Sequence, residues 1–205
     1  MLAETALTAM VYEVPHERGE YHITHHLPPS NVIKMIFSYN RKKFGTIFGA
    51  DKAKLKAFWT DLFSSDEGKE YKNLHPTLID QTPEQLETSI PFIVHEDAAP
   101  YGKKSSVNVL QWGPLHTHGS DIESRFVHHN YIAKKGAPAE TARKAWSVFW
   151  KEVEHMADGC DIYGNPLARE EDGTVWKFVF TFSLSDFDMD REHGLPNFNR
   201  GELFC

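Results

Sequence analysis

The order of apolar runs in the second half of the chain constrains the fold most. Three β-forming runs, at 90–97, 105–113 and 124–133, are joined by short connections, which favours antiparallel pairing. A helix-length segment follows at 137–156, and the run at 174–184 is rich in aromatic and β-branched residues without glycine or proline. Because a right-handed crossover returns the last strand to the first, these two strands are predicted to be parallel neighbours.

The segment at 137–156 has the pattern of an amphipathic helix packed on this sheet. Its apolar stripe falls at helical spacing and comprises Ala142, Trp146, Phe149, Trp150 and Val153. The same spacing predicts a solvent-facing side with Lys144, Lys151, Glu152 and Glu154. Gly159 is expected to end the helix.

The first part of the chain, residues 1–84, is predicted to be a mostly helical extension. Four residues that break regular structure punctuate residues 1–30, so no element longer than a few residues is expected there: Pro15, Gly19, Pro28 and Pro29. Helical periodicity appears between Ser30 and Phe63, where Asp51 is a suitable N-cap. A polar stretch follows, and Thr82 with Gln85 then forms the pattern of a capping box.

Composition places the chain among ordinary globular proteins. It has 205 residues, of which 40% are hydrophobic and 25% charged, and no apolar window reaches the length of a membrane span. The N-terminus lacks the basic region of a secretory signal, and two cysteines, Cys160 and Cys205, fit a reducing, intracellular compartment, cytoplasmic or nuclear. A formal net charge of −7 argues against strong nonspecific DNA binding by this chain alone.

Three aspartates follow the two strands that are predicted to be parallel. Asp97 ends the first strand, Asp186 comes just past the end of the fourth, and Asp188 lies two residues further on. Because neighbouring parallel strands end at the same edge of a sheet, the carboxylates are expected to share Mg²⁺ or Mn²⁺. Two such ions would clamp the attacking and leaving oxygens of a phosphodiester.

Two stretches of the chain resemble transposase-derived proteins. IPFIVHEDAAPYGKKSSVNVLQW resembles the start of their nuclease domain, and FSLSDFDMDREHGLPNFNRGELFC resembles a later segment. The likeness covers about residues 85–205 and implies a partial ribonuclease-H-like α/β domain with a β-β-β-α-β core. It also implies the acidic site of DDE/D transposases, with Asp97 as the first acid and Asp186 as the second.

The resemblance carries expectations about activity and partners. The third acid would follow a further helix and has no counterpart before Cys205, so the chain is expected to be a fragment or degenerate copy without activity. DNA is the expected partner through a fuller parent protein. A small-molecule substrate and a membrane partner are not expected, and the oligomeric state stays open.

Two alternatives remain open at this point. The same fold could persist as a non-enzymatic interaction or relic module, in which Asp97 merely caps a turn before Pro100. The chain could instead be a histidine-rich metal protein, since His116, His118 and Asp121 form an H-x-H-x-x-D run, followed by His128 and His129. Zinc is stereochemically possible there, but glycines flank the run and indicate a loop.

Overall fold

The computed structural model describes residues 10–15, 21–101, 105–117, 124–134 and 139–185. The strands are β1 Met10–Pro15, β2 Tyr21–His26, β3 Ser89–Tyr101, β4 Ser105–Pro114, β5 Phe126–Lys134 and β6 Lys177–Ser185. The helices are α1 Pro29–Tyr39, α2 Arg41–Phe48, α3 Lys52–Leu62, α4 Asp66–Leu74 and α5 Ala139–Met156. Within these ranges no helix is long and apolar enough to cross a membrane.

The larger sheet is four-stranded and mixed, in the order β5-β4-β3-β6. β3 pairs antiparallel with β4, and β4 antiparallel with β5. On its other side β3 pairs with β6, and this pair is parallel. The predicted adjacency of the first and last strands, with a helix between them in the chain, is therefore confirmed, and the protein is of mixed α and β class.

A β-bulge interrupts the parallel pair near its middle. Phe92 pairs with Phe180 and the next residue, Ile93, pairs with Phe182, which leaves Thr181 as the extra residue. The hydroxyl of Thr181 donates to the carbonyl oxygen of Phe92 at 2.8 Å. The side chain therefore supplies a hydrogen bond where the backbone ladder is broken.

Helix α4 covers the outer edge of β6. The hydroxyl of Tyr71 donates to the carbonyl of Thr181 at 2.7 Å, and His75 Nε2 lies 2.8 Å from the carbonyl of Phe180. The backbone N–H of Thr77 donates to His75 Nδ1, so Nε2 carries the hydrogen. The sequence pattern predicted only a polar stretch here. The helix is capped at its N-terminus by Ser65, whose hydroxyl oxygen accepts from the N–H of Gly68.

An antiparallel hairpin of β1 and β2 occupies part of the N-terminal segment, where no regular element of this length was expected. Pro15 closes β1 and Pro28 follows β2, so these prolines bound the strands without interrupting them. The N–H of Leu27 then donates to the carbonyl of His128 at 2.8 Å. That bond attaches the hairpin to β5 in the larger sheet.

Side chains from both sides of residue 84 share one apolar core. Phe48 of α2 stacks on Trp112 of β4, with ring centroids 6.3 Å apart, and meets Phe178 of β6 edge-on at 5.3 Å. The helices of the first part thus pack directly on the sheet. The division into two segments at residue 84 stays a prediction.

Helix α5 packs on the same face of the sheet. Trp146, Phe149 and Val153 are buried, as predicted, and Trp150 is half-buried. The prediction that Glu152 faces solvent was wrong, since this side chain is 3% exposed and lies beneath the start of α1. There the N–H of Ser30 donates to Glu152 Oε2 at 3.4 Å.

Candidate functional site

Asp97 lies inside β3, where it pairs with Val109 of β4, and its side chain is exposed. The expectation that the strand ends at Asp97 was wrong, because the pairing with β4 continues to Tyr101. On the other side of β3, Glu96 is level with Ser185, the last described residue of β6. Asp186 and Asp188 lie outside the described residues, so their approach to Asp97 stays a prediction.

Glu96 is a buried carboxylate one residue before the exposed Asp97. Its side chain is 1% exposed, and the indole Nε1 of Trp146 donates to its Oε2 at 2.5 Å. Glu96 was not among the predicted site residues. The strand alternation carried the signal: Glu96 continues the series Ile90, Phe92, Val94, whose side chains are buried on one face of β3.

Two buried histidines form a second polar site beneath α5. His26 and His128 are 0% and 1% exposed, and His26 Nδ1 lies 3.4 Å from His128 Nε2. His128 Nδ1 lies 2.9 Å from the carbonyl of Leu27, which can only accept, so Nδ1 carries the hydrogen and Nε2 accepts from His26. Burial, opposed in part by the Leu27 bond, lowers the pKa of His128 to about 3.

A third polar cluster joins α1 to the loop after α5. Burial alone would raise the pKa of Asp161, but the ammonium of Lys34 and the amide groups of Asn165 and Tyr163 lower it to about 2. Burial raises the pKa of the nearby Glu152. These bonds close the turn at Asp161 and hold it against α1, which is a structural role.

No group of three or more histidine, cysteine, aspartate or glutamate side chains is placed to hold a metal ion within the part of the chain that the structure describes. In the histidine-rich run, His116 is half-buried with its ring 6.4 Å from that of Phe58. His118 and Asp121 lie outside the described residues, so the zinc alternative stays untested.

A cleft of about 770 Å³ lies beside the first half of β6, at the end of the strand away from Ser185. One wall comes from the C-terminal half of α5 and includes Trp150 and Glu154, and the other includes His75 and Gln81. Lys177 and Phe180 of β6 complete the lining. No sequence motif pointed to this cleft, because its walls are far apart in the chain.

Comparison with known proteins gave no match, whether with family models, with curated proteins or with solved structures. The function of this chain is therefore inferred from its own residues and geometry.

Proposed function

We propose that the chain carries a ribonuclease-H-like domain of the transposase-derived kind, whose ancestral chemistry is metal-dependent cleavage and strand transfer of DNA. The observation that supports it best is the sheet order β5-β4-β3-β6, with β3 parallel to β6 and α5 between them in the chain. In this topology Ser185, the last described residue of β6, is level with Glu96, the residue before Asp97, and Asp186 is the next residue of the sequence.

The carboxylates of Asp97 and Asp186, with Asp188, are the proposed ligands of Mg²⁺ or Mn²⁺. Asp97 fits such a role because its side chain is exposed on the sheet and can reach a hydrated cation. When bound, the ion supplies charge stabilisation for attack by water or a 3′-hydroxyl on a phosphodiester. Asp97 would hold the ion and orient it toward the phosphate.

We expect this chain by itself to bind the ion weakly and to leave DNA uncleaved. The second carboxylate of this part of β3, Glu96, faces α5 and accepts a hydrogen bond from Trp146, so β3 offers one carboxylate to the site. The net charge of −7 also opposes stable DNA contact by this chain alone.

The test combines thermal melts with a plasmid assay. Mn²⁺ should raise the melting temperature of the wild type by mass action, and the shift should vanish in an Asp97→Asn, Asp186→Asn double variant. An Asp61→Asn, Asp80→Asn variant removes the same charge from exposed sites elsewhere and should keep the shift.

Three results would contradict parts of this proposal. If Mn²⁺ still raises the melting temperature of the Asp97→Asn, Asp186→Asn variant, the proposed site is ruled out. The lack of any shift in the wild type favours the non-enzymatic interaction module. Metal-dependent plasmid cleavage that depends on Asp97 would show that the chain is active, against our expectation.

A further inference from the structure

The cleft beside β6 is separate from the proposed metal site. The cleft is lined by residues from the first half of the strand, Lys177, Val179 and Phe180, whereas the opposite end of the strand, at Ser185, lies near Asp97. We propose that it binds a small organic cation with an aromatic or flat apolar body. This inference goes beyond the proposed function and does not depend on it.

Helix α5 and the turn that follows it contribute an aromatic ring and two carboxylates to the lining of the cleft. Trp150 and Glu154 are four residues apart on α5 and so lie about one turn apart, Asp158 lies in the turn after the helix, and all three line the cleft. Trp150 is half-buried, while Glu154 and Asp158 are exposed. An aromatic ring and carboxylates that line the same cleft can attract an ammonium or guanidinium group, through the ring quadrupole and through charge.

The Trp150 ring is held in place by its neighbours. It stacks on Trp146 with centroids 5.5 Å apart and an interplanar angle of 22°, and it meets Phe180 edge-on at 4.9 Å. A ring fixed in this way loses little conformational freedom when a ligand packs against it.

The opposite wall is fixed and uncharged. His75 is tied to the carbonyl of Phe180 and to the N–H of Thr77, an arrangement that requires the neutral imidazole. Burial lowers the pKa of His75, which favours the same neutral form. Protonation would place a hydrogen on Nδ1 and break the Thr77 bond.

The charge balance of the lining favours a cation. The lining contains two carboxylates, Glu154 and Asp158, and one ammonium, Lys177, so its formal charges sum to −1. The volume of about 770 Å³ lies in the range typical of small-molecule sites. Apolar lining from Trp150, Val153 and Phe180 can accept the body of the ligand while the carboxylates take the charged end.

Isothermal titration of the full chain with 4-phenylbutylamine tests the proposal. The amine should bind saturably at one site with a dissociation constant on the order of 1 mM or tighter. The neutral 4-phenylbutanol and the anionic 5-phenylpentanoate have the same phenylbutyl body and should bind at least roughly tenfold more weakly, since they lack the charge that Trp150 and the carboxylates attract.

Variants locate the binding. Glu154→Gln with Asp158→Asn changes only exposed side chains, so the fold should persist while amine affinity falls roughly tenfold. Glu67→Gln with Glu70→Gln removes the same charge from exposed positions on α4 that are not in the lining, and should leave affinity unchanged.

Several outcomes would overturn the inference. These are the absence of saturable amine binding, equal binding of the alcohol or the acid, and unchanged affinity in the Glu154, Asp158 variant. None of them bears on Asp97, so failure here is distinguishable from failure of the metal proposal.

Discussion

Glu96 and Asp97 are adjacent in the chain but lie in different environments, because successive residues of a strand point to opposite faces. Glu96 is buried against Trp146, whereas Asp97 is exposed. A carboxylate that is already buried and hydrogen-bonded is a poor candidate for a cation from solvent, and an exposed one is a better candidate. Burial therefore distinguishes Glu96, a structural acid, from Asp97, a candidate metal ligand. Their adjacent positions in the sequence did not make this distinction.

A single residue, the buried His128, should make the free energy of unfolding depend on pH. Its pKa in the folded state, about 3, lies below the ordinary value of 6.5, so the unfolded chain binds the proton more readily as pH falls below 6.5. The contribution of neutral His128 to the free energy of unfolding is thus fully present above pH 6.5 and is lost progressively as the pH falls toward 3. Between pH 7.5 and 5.0 the loss should be about 2 kcal/mol.

Urea denaturation at the two pH values measures this effect. When the pH is lowered from 7.5 to 5.0, the free energy of unfolding of a His128→Gln variant should fall by about 2 kcal/mol less than that of the wild type, whatever the absolute stability of the variant. The same pH dependence in both proteins would show that His128 is not the group responsible.

The histidine pair could not be predicted from the sequence, for a physical reason. His26 and His128 are 102 residues apart, and only the attachment of the hairpin to β5 brings them together. Local periodicity reports burial along one element and carries no information on which distant element covers it. Asp51 and the pair Thr82 and Gln85 were predictable because their caps form within three residues.

At the scale of the element, α5 is fixed by apolar burial and by the buried hydrogen bonds of Trp146 and Glu152. Its apolar stripe was predictable because the 3.6-residue period alone selects Trp146, Phe149 and Val153. The burial of Glu152 was not predictable, since it depends on α1 lying over that turn.

Two substitutions at Trp146 separate these contributions. Trp146→Ala should cost on the order of 3 to 5 kcal/mol of unfolding free energy, since it removes a large buried side chain. Trp146→Phe keeps most of the volume but removes the donor to Glu96, and should cost about 1 to 3 kcal/mol. Urea denaturation gives both values.

Lys144→Ala is the matched control, since Lys144 is exposed on the same helix and its loss should change stability by less than about 0.5 kcal/mol. If Trp146→Ala proved as mild as Lys144→Ala, α5 would not be packed on the sheet as described.

Among the elements, the strands of the larger sheet were predictable and the N-terminal hairpin was not. Runs such as Phe178–Leu184 are apolar enough to identify a strand by composition alone. The short strands β1 and β2 have prolines close by, and those prolines indicated loops. Helix α4 was missed because it is mostly polar; it is anchored by Tyr71 and by the adjoining His75 at the edge of β6.

At the scale of the whole molecule, the strand order links the fold to the proposed function. Short connections predicted antiparallel pairing of the first three strands of this sheet, and a helix-length crossover predicted the parallel return of β6 beside β3. Chirality and connection length are general constraints on any chain, so this part of the topology followed from the sequence. The packing of α1 and α2 on the sheet depends on side-chain fit between distant segments and did not follow from it.

The central claim is that Asp97 and Asp186 meet at one cation. A structure of crystals grown with Mn²⁺, in which the ion is located by its anomalous scattering, tests this directly. We expect one ion between the two side chains, with carboxylate oxygens roughly 4 to 7 Å apart, as ligation at about 2.0 to 2.1 Å per metal–oxygen bond with some relaxation permits. Carboxylates more than about 12 Å apart, or Mn²⁺ bound only elsewhere, would contradict the claim, because no single ion can bridge that distance.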